Sequence, residues 1–407
     1  MKSIDEALAL ILEGIAPLDA VRVPLAEAAG RAAAEDAAAA VDLPPFDRSA
    51  MDGYAVRSAD TSQGVALRLA GGVAAGEVSA EALQPGTAAP ISTGAALPPG
   101  ADAILQSELA EAAGGRVTPA QAVEPGRHVR VRGEDLRAGD VLARAGEALT
   151  VPRLSALASA GVGELAVHRR PRLHLLVTGS ELLPLGAPPE PGRIHESNGL
   201  MVSLLARRAG AEVVDAGVVA DDREATFAAV EAGLRDDVLV VSGGVSVGPH
   251  DHVKPAFEAC GVEEVLWRVR IKPGKPMWFG RTQTTSSSGT GRRDALVFGL
   301  PGNPLSSIVC FCVFIEPALR RLQGERDARP RLTRGRLTVP AGPSDGRTTF
   351  LTARIAPGAD GVLEATPTER QGSHMTGALG ESDGFAIAPH GSGGLDAGDA
   401  VDLLLLA

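Results

Sequence analysis

Hydrophobic and polar positions change period along this chain, and each period predicts a different element. Near the N-terminus Ile4, Leu8, Ile11, Leu12 and Ile15 recur at three- to four-residue spacing, which predicts an amphipathic helix. Ser3 and Glu6 open it with a Ser-x-x-Glu capping box. An alanine-rich stretch from Ala26 to Ala40 also reads as helical, stopped by Pro44-Pro45. From residue 46 to about 140 the period shortens. Gly and Pro recur every few residues between apolar runs at 65–69, 101–105 and 129–131, the pattern of a small β-rich domain. Residues 150–161 read as one short helix, with Pro152 in its first turn and Gly161 beyond its end.

Residues 172–323 alternate between the two periods. Strands are expected at 173–177, 212–219, 238–241 and 295–298. Helices are expected at 198–208, at 223–234 behind Asp221-Asp222, at 252–259 and at 305–322. In the first of these Leu200, Met201, Leu204 and Leu205 share a face, and Gly210 closes it. Such alternation predicts a parallel sheet covered on both faces, with ligands at the C-terminal ends of its strands. Residues 284–291 are a low-complexity run, expected to be a mobile loop without function. Strand patterns return at 336–339, 349–355, 384–388 and 400–405, a C-terminal β-barrel or sandwich. The expected division is 1–45 with 140–171, an inserted β-rich domain at 46–139, an α/β domain with a parallel-rich sheet at 172–326, and a β-barrel-like domain at 327–407.

Composition narrows the function. The net charge of −11 and the few aromatics (nine Phe, two Trp, one Tyr) disfavour nucleic-acid and membrane-surface binding. Three cysteines, Cys260, Cys310 and Cys312, are no disulfide framework and suit a reduced, cytoplasmic setting. Asp5 and Glu6 stand where a signal peptide needs an apolar core, and no apolar run approaches the ~20 residues of a membrane span.

Four segments carry candidate chemistry. The run from Pro44 through Phe46-Asp47-Arg48-Ser49-Ala50-Met51-Asp52-Gly53-Tyr54-Ala55 holds the only Tyr and two carboxylates; spacing alone also fits a plain turn. Ser242-Gly243-Gly244-Val245-Ser246-Val247-Gly248 lies between a strand and a helix, where backbone N–H groups can approach an anion. It lacks the Gly-Lys-Ser/Thr of a nucleotide-binding P-loop. In His250-Asp251-His252, adjacent side chains diverge, which argues against a three-ligand metal site. Between Val265 and Arg293 there is no acid, but Arg268, Arg270, Lys272, Lys275, Arg281, Arg292 and Arg293 are present; a local anion site or a solvated strand end would both account for this. Gly299-Leu300-Pro301-Gly302-Asn303-Pro304 joins a strand to a helix, with Asn303 at the cap, Pro304 in the first turn, and Ser306 and Ser307 placed to meet an anion. Glu181, Asp221-Asp222 and Asp135 add carboxylates, which beside a basic pocket suit Mg²⁺-assisted phosphate chemistry.

Taken in order, these segments resemble the molybdopterin molybdenumtransferases, the molybdenum insertases related to the C-terminal domain of gephyrin. Thr93-Gly94-Ala95, Pro99-Gly100-Ala101-Asp102-Ala103 and Arg132-Gly133-Glu134-Asp135 match as well. The resemblance implies a central molybdopterin-binding α/β domain. It implies that molybdate is inserted into adenylylated molybdopterin, with Mg²⁺-dependent release of AMP. It implies an elongated homodimer whose active site lies between the α/β domain of one subunit and the small β domain of the other, with transient contact to the adenylylating enzyme and to molybdoenzyme targets. Asp52, Thr93, Asp135, Glu181, Asp221 and Asp251 match positions tied to activity, with Asp52, Asp221 and Asp251 as Mg²⁺ ligands. Ser242, Gly243, Gly244, Ser246, Arg268, Lys272, Lys275, Pro301, Asn303, Pro304 and Ser306 match substrate- and anion-binding positions. Arg268 stands where relatives carry Lys, and Glu196 where Asp is common. The rivals are a non-catalytic pterin-binding scaffold, which should lose part of the acidic set, and a competence-damage-inducible-type nucleotide-processing enzyme, alike only over 172–323.

Overall fold

The computed structural model of the protein describes residues 1–244, 252–282 and 294–406. Ser246, Asp251, Arg292, Arg293 and the low-complexity run at 284–291 lie outside the described residues. The chain forms two compact units, residues 22–166 and residues 1–21 with 167–407.

The chain opens with helix α1 (Ile4–Leu12), whose capping box is complete. Ser3 Oγ accepts from the Glu6 N–H, and the Glu6 carboxylate accepts from the Ser3 N–H. Its buried residues, Ala7, Leu8 and Ile11, face the core of the larger unit.

In the smaller unit the alanine-rich stretch is not helical. A single 3₁₀ turn (Leu25–Ala28) is followed by extended chain, and Ala37–Ala38 pairs with Val141–Ala143. Gly30, at φ +74, turns the backbone away from helix. Tertiary pairing thus overrides the alanine propensity. Six strands follow: β1 (Gly53–Val56), β2 (Leu67–Leu69), β3 (Thr87–Ile91), β4 (Ala103–Gln106), β5 (Ala110–Ala113) and β6 (Arg116–Pro119). They form one sheet in the order β4-β1-β3-β2-β6-β5. Ala55, Ile91 and Ile104 enter one apolar cluster, and Val56, Ala88 and Leu105 another, as alternation in strands dictates. Helix α2 (Val151–Ser159) has Pro152 in its first turn, and Gly161 follows at φ +82.

The larger unit holds the alternating segment. Its elements are β7 (Arg172–Thr178), α3 (Asn198–Arg208), β8 (Glu212–Val219), α4 (Arg223–Gly233), β9 (Val238–Ser242), α5 (Val253–Ala259), β10 (Val262–Trp267), β11 (Ile271–Lys272), β12 (Trp278–Thr282), β13 (Leu296–Leu300), α6 (Pro304–Cys310) and α7 (Glu316–Leu322). The sheet order is β8-β7-β9-β13-β12-β10. The first four strands are parallel, and β12 and β10 add antiparallel to one side. The sheet is therefore mixed, with a parallel core. β9 and β13 are buried at every position, as strands covered on both faces are. The expected long helix is interrupted, because α6 and α7 are joined through a π-helical stretch, Phe311–Ile315, with all five side chains buried.

Helix α3 keeps its expected bounds but only part of its expected face, since Met201 and Leu205 pack partly buried against the core. It buries Asn198, Gly199, Val202, Ser203 and Ala206, whereas Leu200 and Leu204 are about half exposed, at 48% and 57%. Small residues let the helix approach the sheet and bring Asn198 to the strand ends.

The C-terminal strands are β14 (Thr333–Leu337), β15 (Thr348–Pro357), β16 (Leu363–Pro367), β17 (Gly384–Ala388) and β18 (Ala400–Leu405). Their order, β15-β16-β14-β18-β17 with β17 returning to β15, closes a five-stranded barrel. Short β11 joins β15 in parallel, so the barrel and the α/β layer share an element.

Candidate functional site

The three central parallel strands end at Thr178, Ser242 and Leu300. A cavity of about 340 Å³ opens there, lined by Thr178, Glu181, Glu196, Asn198, Asp221, the Ser242-Gly243-Gly244 turn, Gly302 and Pro304 among others. This is the edge at which a parallel sheet presents its ligand-binding turns.

Glycine is required in that turn. Gly243 has φ +94, and a Cβ on it would meet Thr178 O at 2.7 Å and Thr178 Oγ1 at 2.9 Å. Gly244 has φ +62, with Val253 Cγ2 at 2.6 Å from the same construction. The Gly243 N–H donates to Leu300 O at 3.1 Å. Asn198 ties the neighbouring turns together. Its Nδ2 donates to Ser242 Oγ at 3.1 Å and to Gly302 O at 2.7 Å. Asn198 and Thr178 are both only 8% exposed, and their Oδ1 and Oγ1 atoms have no hydrogen-bond partner among the described residues. Two buried polar atoms beside one cavity are the kind of unspent capacity a polar ligand satisfies.

Three carboxylates line the cavity, and Glu196 among them accepts from the Gly199 N–H at 2.6 Å. Asp221 Oδ2 accepts from the Ser180 N–H at 3.0 Å, and the Asp221 N–H donates to Ser180 Oγ at 3.1 Å. The loops after β7 and β8 are locked by this reciprocal pair. Glu181 folds back over Gly179, where a Cβ would stand 2.7 Å from its carboxylate. Asp222 instead caps α4, accepting from the Ala225 N–H at 2.8 Å.

Of the substrate and anion candidates, Ser242, Gly243, Gly244 and Pro304 line the cavity, whereas Arg268, Lys272, Lys275, Pro301, Asn303 and Ser306 do not. Pro301, Asn303 and Ser306 are arranged around the start of α6. Pro301 O accepts from Ser307 Oγ at 2.6 Å, and Ser306 is buried, so neither hydroxyl of the first turn is freely exposed. Asn303 occupies the cap position, but its Nδ2 donates to Ser373 Oγ at 3.2 Å rather than capping. The turn carrying Lys272 and Lys275 rests on the same helix: Cys310 Sγ lies 3.6 Å from Gly274 O, and a Cβ on Gly274 would meet that sulfur at 2.6 Å.

The five described cations of the acid-free stretch, Arg268, Arg270, Lys272, Lys275 and Arg281, do not converge. Arg281 reaches the C-terminal end of α1, donating to Leu10 O and Ile11 O. Arg270 lies 3.9 Å from Glu6. Arg268, at φ +67, stacks on Trp267, whose other cationic neighbour is Lys254 at 3.7 Å. Only Lys272 and Lys275 project from the basic turn.

The smaller unit holds a second group of candidates. Asp52 directly precedes β1 and Thr93 follows β3. The antiparallel register, with Gly53 opposite Ile91, sets them together. Asp52 Oδ1 accepts from the Thr93 N–H at 2.7 Å and from Thr93 Oγ1 at 3.0 Å. The Thr93 N–H first, and its hydroxyl second, hold the Asp52 carboxyl below the usual carboxylate range. Gly53 admits no side chain, because its Cβ would stand 2.2 Å from Leu105 O. Asp52 lines a cavity of about 500 Å³ with Tyr54, Glu77, Ser92 and Ser107. Asp135 does not line it; the Asp135 N–H donates to Leu43 O in the loop of Arg132 and Gly133.

The composition of the 340 Å³ cavity bears on a metal. Mg²⁺ takes hard oxygen ligands, usually one or two carboxylates plus water and phosphate oxygens. Asp221 and Glu181 fit that donor set. Among the described residues no three His, Cys, Asp or Glu side chains form a ready-made metal cluster. Of the expected ligands, Asp52 belongs to the smaller unit and Asp251 lies outside the described residues.

Sequence reasoning did not single out Thr178, the 8%-exposed partner of the glycine turn. The Ser197-Asn198 pair matches the family pattern, but the sequence alone gives Asn198 no role. Thr178 ends its strand and Asn198 opens its helix, and only the fold sets them beside the same cavity. Asp345 and Ser373 belong to the C-terminal region and contact Lys272 and Asn303.

Three family models match the chain. They are the MoeA N-terminal region (domain I and II) over residues 2–161, a probable molybdopterin binding domain over 174–321, and the MoeA C-terminal region (domain IV) over 334–406. The molybdopterin molybdenumtransferase of Haemophilus influenzae is 35% identical over 408 residues, covering 99% of this chain and 98% of that protein. Molybdopterin molybdenumtransferase 2 of Mycobacterium tuberculosis is 37% identical over 369 residues, covering 86% of this chain and 88% of that one. Two crystal structures of the molybdopterin biosynthesis MoeA protein from Pyrococcus horikoshii superpose over the whole chain, and the superpositions cover 99% and 100% of those chains. Their TM-scores are 0.83 and 0.80, at 32% and 28% identity.

Proposed function

This chain belongs to the molybdopterin molybdenumtransferases, enzymes of molybdenum cofactor biosynthesis, and from that premise we propose that it inserts molybdate into adenylylated molybdopterin with Mg²⁺-dependent release of AMP. The observation that carries this reading is the cavity at the three strand ends, where a glycine-only turn, two buried polar atoms without a partner among the described residues, and three carboxylates meet.

In this reading the cavity receives the pterin phosphoanhydride. Thr178 Oγ1 and Asn198 Oδ1 supply hydrogen bonds to polar groups of the ligand. The absence of Cβ atoms at Gly243 and Gly244 lets the ligand approach the backbone. Asp221 and Glu181 hold Mg²⁺, which when bound neutralises charge on the phosphoanhydride oxygens. Lys272 and Lys275 attract molybdate. Asp52, kept ionised by Thr93, serves as an acceptor or as a further ligand. Since the dithiolene sulfurs belong to the substrate, the enzyme needs no cysteine at the site. Cys310 and Cys312 are in fact buried and unpaired, consistent with a cytoplasmic protein.

The active site is proposed to form between subunits of a homodimer, with Asp52 from one copy and Asp221 from the other. Mixing two inactive variants tests this. Asp52→Asn and Asp221→Asn homodimers, once subunits exchange, should regain about a quarter of wild-type AMP release, because half the dimers are mixed and each has one intact site. No recovery, with exchange verified by mass, would overturn the shared-site reading.

A further inference from the structure

The two lysines of the basic turn are not equivalent. Lys272 Nζ lies 3.7 Å from Asp345 Oδ2. No carboxylate among the described residues lies within 4.0 Å of Lys275, which is also exposed. Asp345 is held in place. Arg347 donates to it from Nε at 3.0 Å and from Nη2. The loop before β15 is pinned on both sides of this residue. The Ser344 N–H donates to Ser392 O, Ser344 Oγ accepts from the Gly391 N–H, and the Thr348 N–H donates to Arg270 O. Register then aligns Lys272 with Thr349. A carboxylate from the barrel is thus fixed beside a lysine of the α/β layer.

We infer that Asp345 is the resting counter-ion of Lys272 and sets how tightly the basic turn takes an oxyanion. The inference rests on the reading of this turn as the molybdate site. Lys272 and Asp345 are each about half exposed, at 50% and 47%, so their pairing is weak enough for a dianion to displace. Once displaced, the carboxylate remains a few ångströms from the bound anion and repels it. The arrangement trades affinity for discrimination: a monoanion gains less from Lys272 than a dianion does and competes less well with Asp345.

Inorganic molybdate titrated calorimetrically into the purified full-length protein tests this at low ionic strength. Asp345→Asn should tighten binding about three- to tenfold. Asp345→Glu should restore wild-type affinity. Lys272→Ala should weaken binding, and in that background Asp345→Asn should have no further effect. An Asp345→Asn affinity equal to or weaker than wild type, with Lys272→Ala still impaired, overturns the counter-ion role and leaves the anion site standing. A gain from Asp345→Asn that persists in the Lys272→Ala background also overturns it, because the effect would then run through Arg347. No binding by wild type, or full binding by Lys272→Ala and Lys275→Ala alike, overturns the reading of the turn itself.

Discussion

Gly243→Ala probes the cavity wall with one methyl group. Two costs are expected, and the structure separates them. The residue sits at φ +94, and an L side chain there costs on the order of 1–3 kcal/mol. Its Cβ would also meet Thr178 O at 2.7 Å. That oxygen cannot yield cheaply. Thr178 ends β7, paired with Val219 on one side, while Val177 pairs with Ser242 on the other. Overpacking against backbone adds about 1–3 kcal/mol, for a total near 2–6 kcal/mol. Gly261→Ala is the internal control. It has φ +77 and nothing within 4 Å of its Cβ, so it carries only the conformational cost. Urea unfolding of the two variants gives the difference. With an m-value of about 3 kcal/mol/M, the midpoint for Gly243→Ala should fall about 0.3–1 M below that of Gly261→Ala. Midpoints within about 0.1 M of each other would refute the claim that the turn is glycine because Thr178 excludes a side chain.

Three further outcomes follow from the same geometry. Asn198→Ala removes both bonds that join Ser242 to Gly302 and should cost about 2–3 kcal/mol with weaker pterin binding; an unchanged melting temperature would contradict its bridging role. Arg320→Met should cost about 1.5–3 kcal/mol, because the partly buried Glu325 loses both bonds from Arg320 and keeps only Arg331 at 3.0 Å. Burial pushes the Glu325 carboxyl up, but its bonds to Arg320 and then to Arg331 more than offset this and leave it below the ordinary range. That stability is present above the unfolded carboxyl value near about 4.3 and is lost as pH falls through the folded one. The variant should therefore lose the wild type's acid sensitivity at this pair, which a urea series from pH 7 to pH 3 would detect. Asp52→Asn should greatly slow AMP release while leaving ligand affinity nearly intact. Because the Asp52 carboxyl titrates below its usual range, it should contribute no limb to the pH–rate profile between pH 5 and 8; a limb there that vanished in Asp52→Asn would contradict its assignment as a permanently ionised group.

Much of this fold was legible because local rules and tertiary structure agree. The Ser3–Glu6 box, the Asp222 cap and the glycines after α2 and α3 mark their helices, since each solves a backbone hydrogen-bonding or conformational problem at a chain end. The misread parts are those where tertiary contacts decide. Ala26–Ala40 is chemically suited to helix, but its backbone pairs across to the chain near Val141. Leu200 and Leu204 of α3 look like part of a core face, yet both are about half exposed, while small residues and Asn198 are buried. Strand β16, Leu-Glu-Ala-Thr-Pro, is too short and polar to announce itself, though it closes the barrel between β14 and β15. The site divides in the same way. Asp52, Asp221 and the glycine turn were visible as motifs. Thr178 and Asn198 acquire meaning only through what lies across from them. The acid-free stretch looked like one basic patch, but Arg270 and Arg281 anchor the N-terminal helix and its flank.

Molybdenum insertion is expected to be coupled to AMP release. This coupling is tested most directly by incubating the purified protein with adenylylated molybdopterin, with and without molybdate and Mg²⁺, and measuring AMP. Release that requires both, abolished by chelation and restored by added Mg²⁺, is the predicted result. Tight ligand binding with no release under any of these conditions would contradict it and leave a carrier or scaffold, with Asp52, Asp221 and Glu181 in need of another role.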